Sequence, residues 1–227
     1  MTRGCDQTMT YFVTPWRNSI MDSGVAKLAA STCRKAIAQA PGEPRLHYQL
    51  ARALEYAKNA EAAVVEYQSA AEAGYAPAMY QLALLRESPR SGAPDWPEVI
   101  AAHQRAVKAG ALPSADRLAW LYWQGDGVPE NREKALTLWQ DCAARGEARC
   151  HASLAKVYER DDQRGMDLKN ALFHHAIAAR LFAGSGDEEH AALETARSGS
   201  LARLLPPAGV AELWKEVMAW RPVTTRQ

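Results

Sequence analysis

The 227-residue chain carries 27 basic and 26 acidic side chains, a net charge of +1, and 48% of its residues are hydrophobic. This composition is too apolar for a disordered chain, and the near-zero charge provides no field that would draw it onto nucleic acid. No segment reaches the roughly 18 consecutive apolar residues that span a bilayer, so membrane insertion is not expected. Alanine-rich stretches with apolar residues three and four positions apart predict an all-α protein.

The N-terminal 22 residues show no periodicity and are predicted to cover the first helix. They also lack the uninterrupted apolar core of a signal peptide. The chain is therefore either cytoplasmic, or an export signal is not part of this sequence. A single helix is predicted from Val25 to Ala40, where Pro41 stops it.

The middle of the chain repeats every 36 residues. Four ladders, each a set of residues spaced 36 positions apart, recur in register: Leu82, Leu118 and Leu154; Gly74, Gly110 and Gly146; Asn59, Asp95, Asn131 and Asp167; and Tyr67, His103, Trp139 and His175. Asn and Asp cap helix N-termini, and glycine supplies the left-handed residue that ends a helix. Each repeat is therefore predicted to be helix A with the leucine, a loop, helix B, and a tight turn. In the first repeat the leucine step is 32, from Leu50 to Leu82, because the loop around Ala57 and Lys58 is shorter.

The C-terminal part departs from the period. Val210, Leu213, Trp214 and Val217 form one apolar stripe, and Pro222 ends that helix. A terminal repeat has no neighbour to cover its apolar face, so this helix is predicted to be a cap, with docking on a partner as the alternative. The predicted organisation is a covering segment over 1–22, the repeats over 23–184, and capping helices over 185–227.

The third repeat carries a specific pattern. It reads Leu118-Ala-Trp-Leu-Tyr122, then Gly125-Asp-Gly127-Val128, then Lys134-Ala135 and Cys142-Ala143 before Gly146. This order resembles the Sel-one-like repeat, a relative of the tetratricopeptide repeat, over about residues 44–184. The resemblance implies a right-handed superhelix, an α/α solenoid of about four two-helix repeats with helical caps, in which helix A lines the concave face.

The other repeats depart from this pattern. The first looks like a plain tetratricopeptide repeat, and the second and fourth replace the glycine-rich loop by residues 88–94 and 161–165. In the fourth repeat Phe182 stands where the terminal glycine is expected, so its last helix is predicted to run on to Gly184.

The four cysteines contain no Cys-x-x-Cys motif, so zinc or thioredoxin-like chemistry is not indicated. Cys142 and Cys150 fall at small-residue positions where helix B packs on the next helix A. Their spacing looks like that of the secreted, cysteine-rich branch of the Sel-one-like repeat family, where such a pair forms a disulfide. Cys5 and Cys33 could form a second bridge. These pairs favour a periplasmic or secreted protein; the alternative is buried, reduced thiols in the cytoplasm.

Motifs for chemistry are almost absent. The chain has no phosphate-binding loop and no His-Glu-x-x-His, so no metal, cofactor or catalytic residue is predicted. His103 and His175 occupy the aromatic position of the repeat and are expected to pack. His47 and His151 could face the groove, but a solvated or packed histidine is the commoner outcome. Ser153-Leu-Ala-Lys156 matches the Ser-x-x-Lys of penicillin-recognising enzymes, but the companion motifs are missing.

Positions on helix A that the repeat leaves free are the candidate binding residues. Two residues after each ladder leucine lie Arg52, Leu84, Trp120 and Lys156. Aromatic and basic side chains are frequent interface anchors, and Trp123 is a second aromatic candidate. Tyr48, Tyr80 and Asp116 are candidates for the rim. The alternative for Trp120 and Trp123 is that they cover each other or pack under a loop.

The sequence therefore predicts a non-enzymatic adaptor or regulator that binds a protein or peptide, in the bacterial envelope, as a monomer or in a hetero-complex. The resemblance adds a second use, an immunity protein that neutralises a secreted bacterial toxin. The rival of a different class is a weak penicillin-binding or β-lactam-hydrolysing enzyme. A cytoplasmic adaptor with reduced thiols is a third possibility.

Overall fold

The computed structural model describes Cys5 and residues 23–88, 93–160 and 166–223. These residues form eleven helices and no strand. The helices are α1 Ser23–Gln39, α2 Pro44–Tyr56, α3 Ala60–Glu72, α4 Ala76–Glu87, α5 Trp96–Lys108, α6 Leu112–Gln124, α7 Arg132–Ala144, α8 Ala148–Arg160, α9 Leu168–Gly184, α10 Glu188–Ala202 and α11 Pro207–Ala219. The predicted covering segment, 1–22, lies outside the described residues except for Cys5.

Successive helices pack against one another in pairs, which confirms the predicted all-α architecture of two-helix repeats. The chain divides into two compact units, Met1–Ser114 and Ala115–Gln227. In the first unit α1, α2, α3, α4 and α5 pack on one another in consecutive order. In the second unit α7, α8, α9 and α10 pack in the same consecutive order, and α11 packs on α9.

The predicted helix starts are confirmed at all four ladder positions. The side chains of Asn59, Asp95, Asn131 and Asp167 each accept a hydrogen bond from the backbone N–H three residues on. The distances run from 2.9 Å at Asn131 to 3.4 Å at Asp95. Each cap satisfies one of the N–H groups that a helix N-terminus leaves without a partner.

The predicted glycine turns are also confirmed. Gly74, Gly110 and Gly146 have φ angles of 84°, 95° and 88°, the left-handed region that side chains with a Cβ disfavour. In the fourth repeat α9 runs to Gly184, as expected from Phe182, and the left-handed residue is Gly186 with φ 79°. The extra turn keeps Phe182 in the core, where it packs with Ala178 of α9 and Ala191 of α10.

The core of each repeat is built around one large side chain on helix B. Tyr67, His103, Trp139 and His175 are all fully buried. Alanines next to the ladder leucines are fully buried as well, because close packing of helix A on helix B leaves room only for a methyl group.

The C-terminal stripe is narrower than the sequence predicts. Val217 is buried against Ile177 of α9, and Leu213 packs beside Leu172. Trp214, in contrast, is 40% exposed. Positions 213 and 217 lie one turn apart on the same face, and a helix that packs on a single neighbour buries only one such face.

Candidate protein-binding surface

The predicted residues on α2 form one cluster. Arg52 is half-buried and donates from its guanidinium to the hydroxyls of Tyr48, at 3.5 Å, and Tyr56, at 3.2 Å. The ring of Tyr48 also lies 5.2 Å from that of Tyr75. Arg52 and Tyr48 are one turn apart on α2, so both are on the same face of helix A, as their spacing predicts. Tyr56 extends this cluster and was missed from the sequence.

The next helix A, α4, carries Tyr80 and Leu84 one turn apart. Both side chains are partly buried. The ring of Tyr80 lies 6.3 Å from that of His103, which holds it against α5. Leu84 offers an apolar side chain on the same face of α4.

In the second unit, a network of hydrogen bonds joins two of the predicted residues. Trp120 donates from Nε1 to Ser153 Oγ at 3.0 Å, and Ser153 Oγ donates to Asp116 Oδ1 at 2.7 Å. Asp116 Oδ1 also accepts from Trp139 Nε1 at 2.8 Å. The structure thus brings Asp116 and Trp120 together around a serine that the sequence presented only as part of a Ser-x-x-Lys match.

Three tryptophan side chains meet at this network. Trp120 packs edge-on against the buried Trp139 with 4.9 Å between ring centroids, and Trp123 lies 5.7 Å from Trp139. The Arg132 guanidinium lies 4.8 Å from the centre of the Trp123 ring. Both Trp120 and Trp123 are partly buried, and Lys156 on α8 is exposed. Trp120 is therefore held in one orientation by packing and by its N–H, while part of its ring stays at the surface.

A second regular feature links the two helices of a repeat. A glutamate occupies the last turn of helix A in three repeats, five residues after the ladder leucine: Glu55, Glu87 and Glu159. Tyr67 Oη donates to Glu55 at 2.5 Å, and Nε2 of His175 lies 3.2 Å from Glu159. In the equivalent pair, Nε2 of His103 lies 3.7 Å from Glu87.

The third repeat replaces this glutamate by Trp123, and Asp116 supplies the carboxylate to Trp139 instead. The period of 36 would have revealed this ladder from the sequence. The ring of Trp123 at this position lies 5.7 Å from that of Trp139.

The Ser-x-x-Lys match does not have the geometry of an activated nucleophile. Ser153 is only 3% exposed, and its hydroxyl both donates to Asp116 and accepts from Trp120. Lys156 is exposed. A catalytic serine needs a base that takes its proton and a surface that admits the substrate, and the hydroxyl of Ser153 is instead an internal link between two side chains.

Two histidines lie side by side in the second unit. His151 Nε2 contacts the carbonyl of Ala143 at 3.0 Å, and His151 Nδ1 lies 2.8 Å from His174 Nδ1. Because a carbonyl only accepts, His151 carries its proton on Nε2, and His174 donates from Nδ1. Burial and the neighbouring imidazole of His174 lower the pKa of His151 to about 3, and burial and His175 lower the pKa of His174 to about 4. Both rings are neutral at pH 7.

The cysteines form the pair implied by the resemblance and the possible second bridge. Cys142 and Cys150 form a disulfide with an S–S distance of 2.02 Å, and Cys5 and Cys33 form another at 2.14 Å. All four are fully or almost fully buried. The first bridge joins the end of α7 to the start of α8, across the turn at Gly146.

Removing the Cys142–Cys150 bridge is expected to lower the free energy of unfolding by about 2.5 kcal/mol, from the entropy of closing a loop of this length. The double variant Cys142→Ala and Cys150→Ala suits this test because alanine occupies the equivalent positions 70, 106 and 78 in other repeats. Urea denaturation measures the loss. Thiol counting of the unfolded wild-type protein without reductant is expected to find no free thiol, and four free thiols would show that neither bridge forms.

The first unit also has a cleft that the sequence did not predict. It has a volume of about 600 Å³ and lies between α3 and α4. Val64, Leu82 and Leu85 supply apolar lining, and Glu61 and Arg86 stand at its sides. None of the predicted binding residues lines it.

No group of three His, Cys, Asp or Glu side chains that could hold a metal ion is found among the described residues. Within the same part of the chain, no helix has the length and apolar character needed to cross a membrane.

Comparisons with known proteins establish the fold. A Sel1 repeat protein from Oxalobacter formigenes is similar at 22% identity, with 78% of this chain and 81% of that chain covered and a TM-score of 0.55. A protein from Klebsiella pneumoniae described as a Sel1 repeat protein is 18% identical over 83% of this chain and 99% of that chain, with a TM-score of 0.50. No protein-family model and no curated protein matches the chain. The fold is therefore that of Sel1 repeat proteins, the Sel-one-like repeats that the third repeat resembles.

Proposed function

We propose that this chain is a non-enzymatic adaptor that binds another protein or peptide through the exposed face of its A helices. The observation that carries the proposal is Trp120, a large side chain fixed by Ser153 and Trp139 with part of its ring exposed. Tryptophan at the surface is the residue most enriched at binding hot spots, and a side chain that is already fixed loses little entropy on binding.

Basic side chains on the A helices support the proposal. Lys156 is exposed on the next A helix, and Arg52 is held by Tyr48 and Tyr56 on the first. Solenoid repeats of this fold generally serve as protein-interaction modules, because their stacked helices expose an extended surface that does not contribute to the core. Aromatic and basic side chains on that surface suit a partner segment with apolar and acidic groups.

Capture of a partner tests the proposal. Wild-type protein is expected to retain a binding partner from the envelope fraction of its host, and Trp120→Ala combined with Lys156→Ala is expected to lose it. The reason is that the double variant removes the fixed aromatic side chain and an exposed cation on the next A helix. Lys156→Glu alone changes no buried contact and is expected to weaken capture at least tenfold. A partner retained equally by wild type and both variants would contradict the proposal.

Controls separate loss of the site from loss of the fold. Leu193→Ala alters an exposed apolar side chain on α10 and is expected to capture the partner as the wild type does. Circular dichroism melting of each variant checks that it is folded.

The proposed location is the periplasm or the cell exterior. The two disulfides support it, because such bridges persist in oxidising compartments. Within this location we propose a regulator of envelope complexes, and the identity of the captured partner separates that role from immunity to a secreted toxin.

We expect the protein to have no β-lactam-hydrolysing activity. Purified protein incubated with nitrocefin should show no hydrolysis above buffer, because Ser153 is buried and its hydroxyl is bound on both sides by Asp116 and Trp120. Turnover that disappears in Ser153→Ala would contradict the adaptor proposal, whereas turnover that persists in that variant would point to a contaminant.

A further inference from the structure

The segment that follows α11 lies against the rest of the second unit in the manner of a bound peptide. Arg180 of α9 donates from its two terminal nitrogens to the carbonyls of Val217, at 2.6 Å, and Trp220, at 2.8 Å. The backbone N–H of Val223 donates to the carbonyl of Ala144, the last residue of α7, at 2.7 Å. Val217 is in the last turn of α11, and Trp220 and Val223 are in the segment itself. All three hydrogen bonds involve main-chain groups of this part of the chain, so they do not depend on its side chains.

The segment has the conformation of an extended ligand. Trp220 has φ −58° and ψ 136°, close to polyproline II geometry, and Pro222 is compatible with the same geometry. Binding modes that recognise an extended chain take affinity from main-chain hydrogen bonds and specificity from pockets for single side chains.

Trp220 supplies the specific side chain. Its ring meets the ring of His151 edge-on, with 4.9 Å between centroids and an interplanar angle of 90°. The Arg180 guanidinium lies 5.5 Å from the centre of the same ring. His151 is in turn held by Ala143 and His174, so the surface that receives Trp220 is fixed before the tryptophan arrives.

Gly146 provides clearance for the proline two residues further on. A Cβ at position 146 would lie 3.0 Å from the Cβ of Pro222, tighter than ordinary contact. The disulfide between Cys142 and Cys150 braces this turn from both sides. Ala144, Gly146, His151 and Arg180 thus form a preformed cradle, which accepts an aromatic residue and, two positions later, a proline.

The contacts of the segment with the cradle are few enough to be exchanged. The side chains of Arg221, Pro222 and Val223 are exposed, Val223 by 62%. Apart from Trp220 and the contact of Pro222 with Gly146, the segment is held by main-chain hydrogen bonds that any extended chain can form.

We propose that this cradle is a peptide-binding site that the chain's own C-terminal segment occupies, and that its ligand in a partner is an extended peptide with an aromatic-x-Pro sequence. The cradle contains none of the residues from which the proposed function is argued, so the two proposals are tested independently. The internal segment competes with the partner and lowers its apparent affinity by the fraction of molecules in which the cradle is open.

The test uses the full chain and a fluorescein-labelled peptide of residues 216–223, acetylated and amidated at its ends. Val223→Pro removes the N–H that donates to Ala144, which weakens the hold on the segment without altering the Trp220 side chain. Fluorescence anisotropy is expected to show that Val223→Pro binds the peptide at least tenfold more tightly than wild type. Trp220→Ala serves as a second way of releasing the segment. Met218→Ala changes an exposed side chain of α11 and is expected to bind as wild type does.

Two further binding measurements test whether the peptide binds in the cradle. Arg180→Ala added to Val223→Pro is expected to weaken peptide binding at least tenfold, and a peptide with alanine in place of the tryptophan is expected to bind at least tenfold more weakly. The proposal is overturned if neither released variant binds more tightly than wild type, or if Arg180→Ala leaves binding unchanged. A wild-type dimer in light scattering that Val223→Pro abolishes would show that a second copy, and not a partner peptide, is the occupant.

Discussion

Replacing Trp139 by alanine is expected to lower the free energy of unfolding by about 3–5 kcal/mol. The side chain is fully buried, and it packs against Trp120 and Trp123. Its loss leaves a large cavity in the third repeat and removes a donor from Asp116, whose carboxylate is partly buried. Urea denaturation followed by far-ultraviolet circular dichroism measures the change without relying on tryptophan emission.

Trp214→Ala is the matched control, because Trp214 is in the same unit but is 40% exposed. A loss of about 1 kcal/mol or less is expected for this variant. Equal losses in the two variants would show that Trp139 does not have the central place in the core that the structure gives it.

Acidification is expected to destabilise the protein through His151 and His174, whose folded pKa values are about 3 and about 4. In the unfolded chain each has a pKa near 6.5, so below that pH the unfolded state binds more protons and stability falls as the pH falls. The stabilisation is complete above about pH 6.5 and is lost progressively down to the folded values. Through these two groups together, lowering the pH from 7.5 to 5 is expected to reduce the free energy of unfolding by about 4 kcal/mol.

The cause is geometric as well as electrostatic. A proton added to His151 Nδ1 would face the N–H of His174, and the positive charge would lie near Arg180. The double variant His151→Gln and His174→Gln is expected to flatten the dependence of stability on pH between 5 and 7. His190→Gln, at an exposed histidine, is the control and should keep the wild-type slope. A slope that is unchanged in the double variant would assign the acid sensitivity elsewhere.

The repeat architecture was predictable because the same local physics recurs every 36 residues. A cap at Asn131 and a left-handed glycine at Gly146 are each set by a few neighbouring backbone groups, so their residue types report the helix ends directly. The longer α9 followed in the same way from Phe182 at a glycine position.

The interior of the candidate site was not predictable to the same degree. Ser153 and Asp116 are 37 residues apart, and their contact depends on how α6 packs on α8. The position of Trp120 on helix A followed from the period, but the network that fixes it did not. The carboxylate ladder of Glu55 and Glu159 was visible in the period and was overlooked, because acidic residues at a helix end are usually exposed.

The contacts of the C-terminal segment could not be predicted from the 36-residue period. Its hydrogen bonds join Val223 to Ala144 and Trp220 to Arg180, pairs separated by 40 residues or more. Main-chain hydrogen bonds of this kind do not require particular residue types. Gly146 and Pro222 are the residues whose types reflect the contact between the turn after α7 and the segment after α11.

The most direct test of the central claim, that the A helices bind a partner protein, is site-specific photo-crosslinking in the host. A photoreactive residue is placed at position 84 or 156 on helix A, and in matched controls at the exposed positions 65 on α3 and 193 on α10. We expect a crosslinked partner at 84 and 156, and none at 65 and 193. Crosslinks confined to 65 or 193 would contradict the account and move the binding surface away from the A helices.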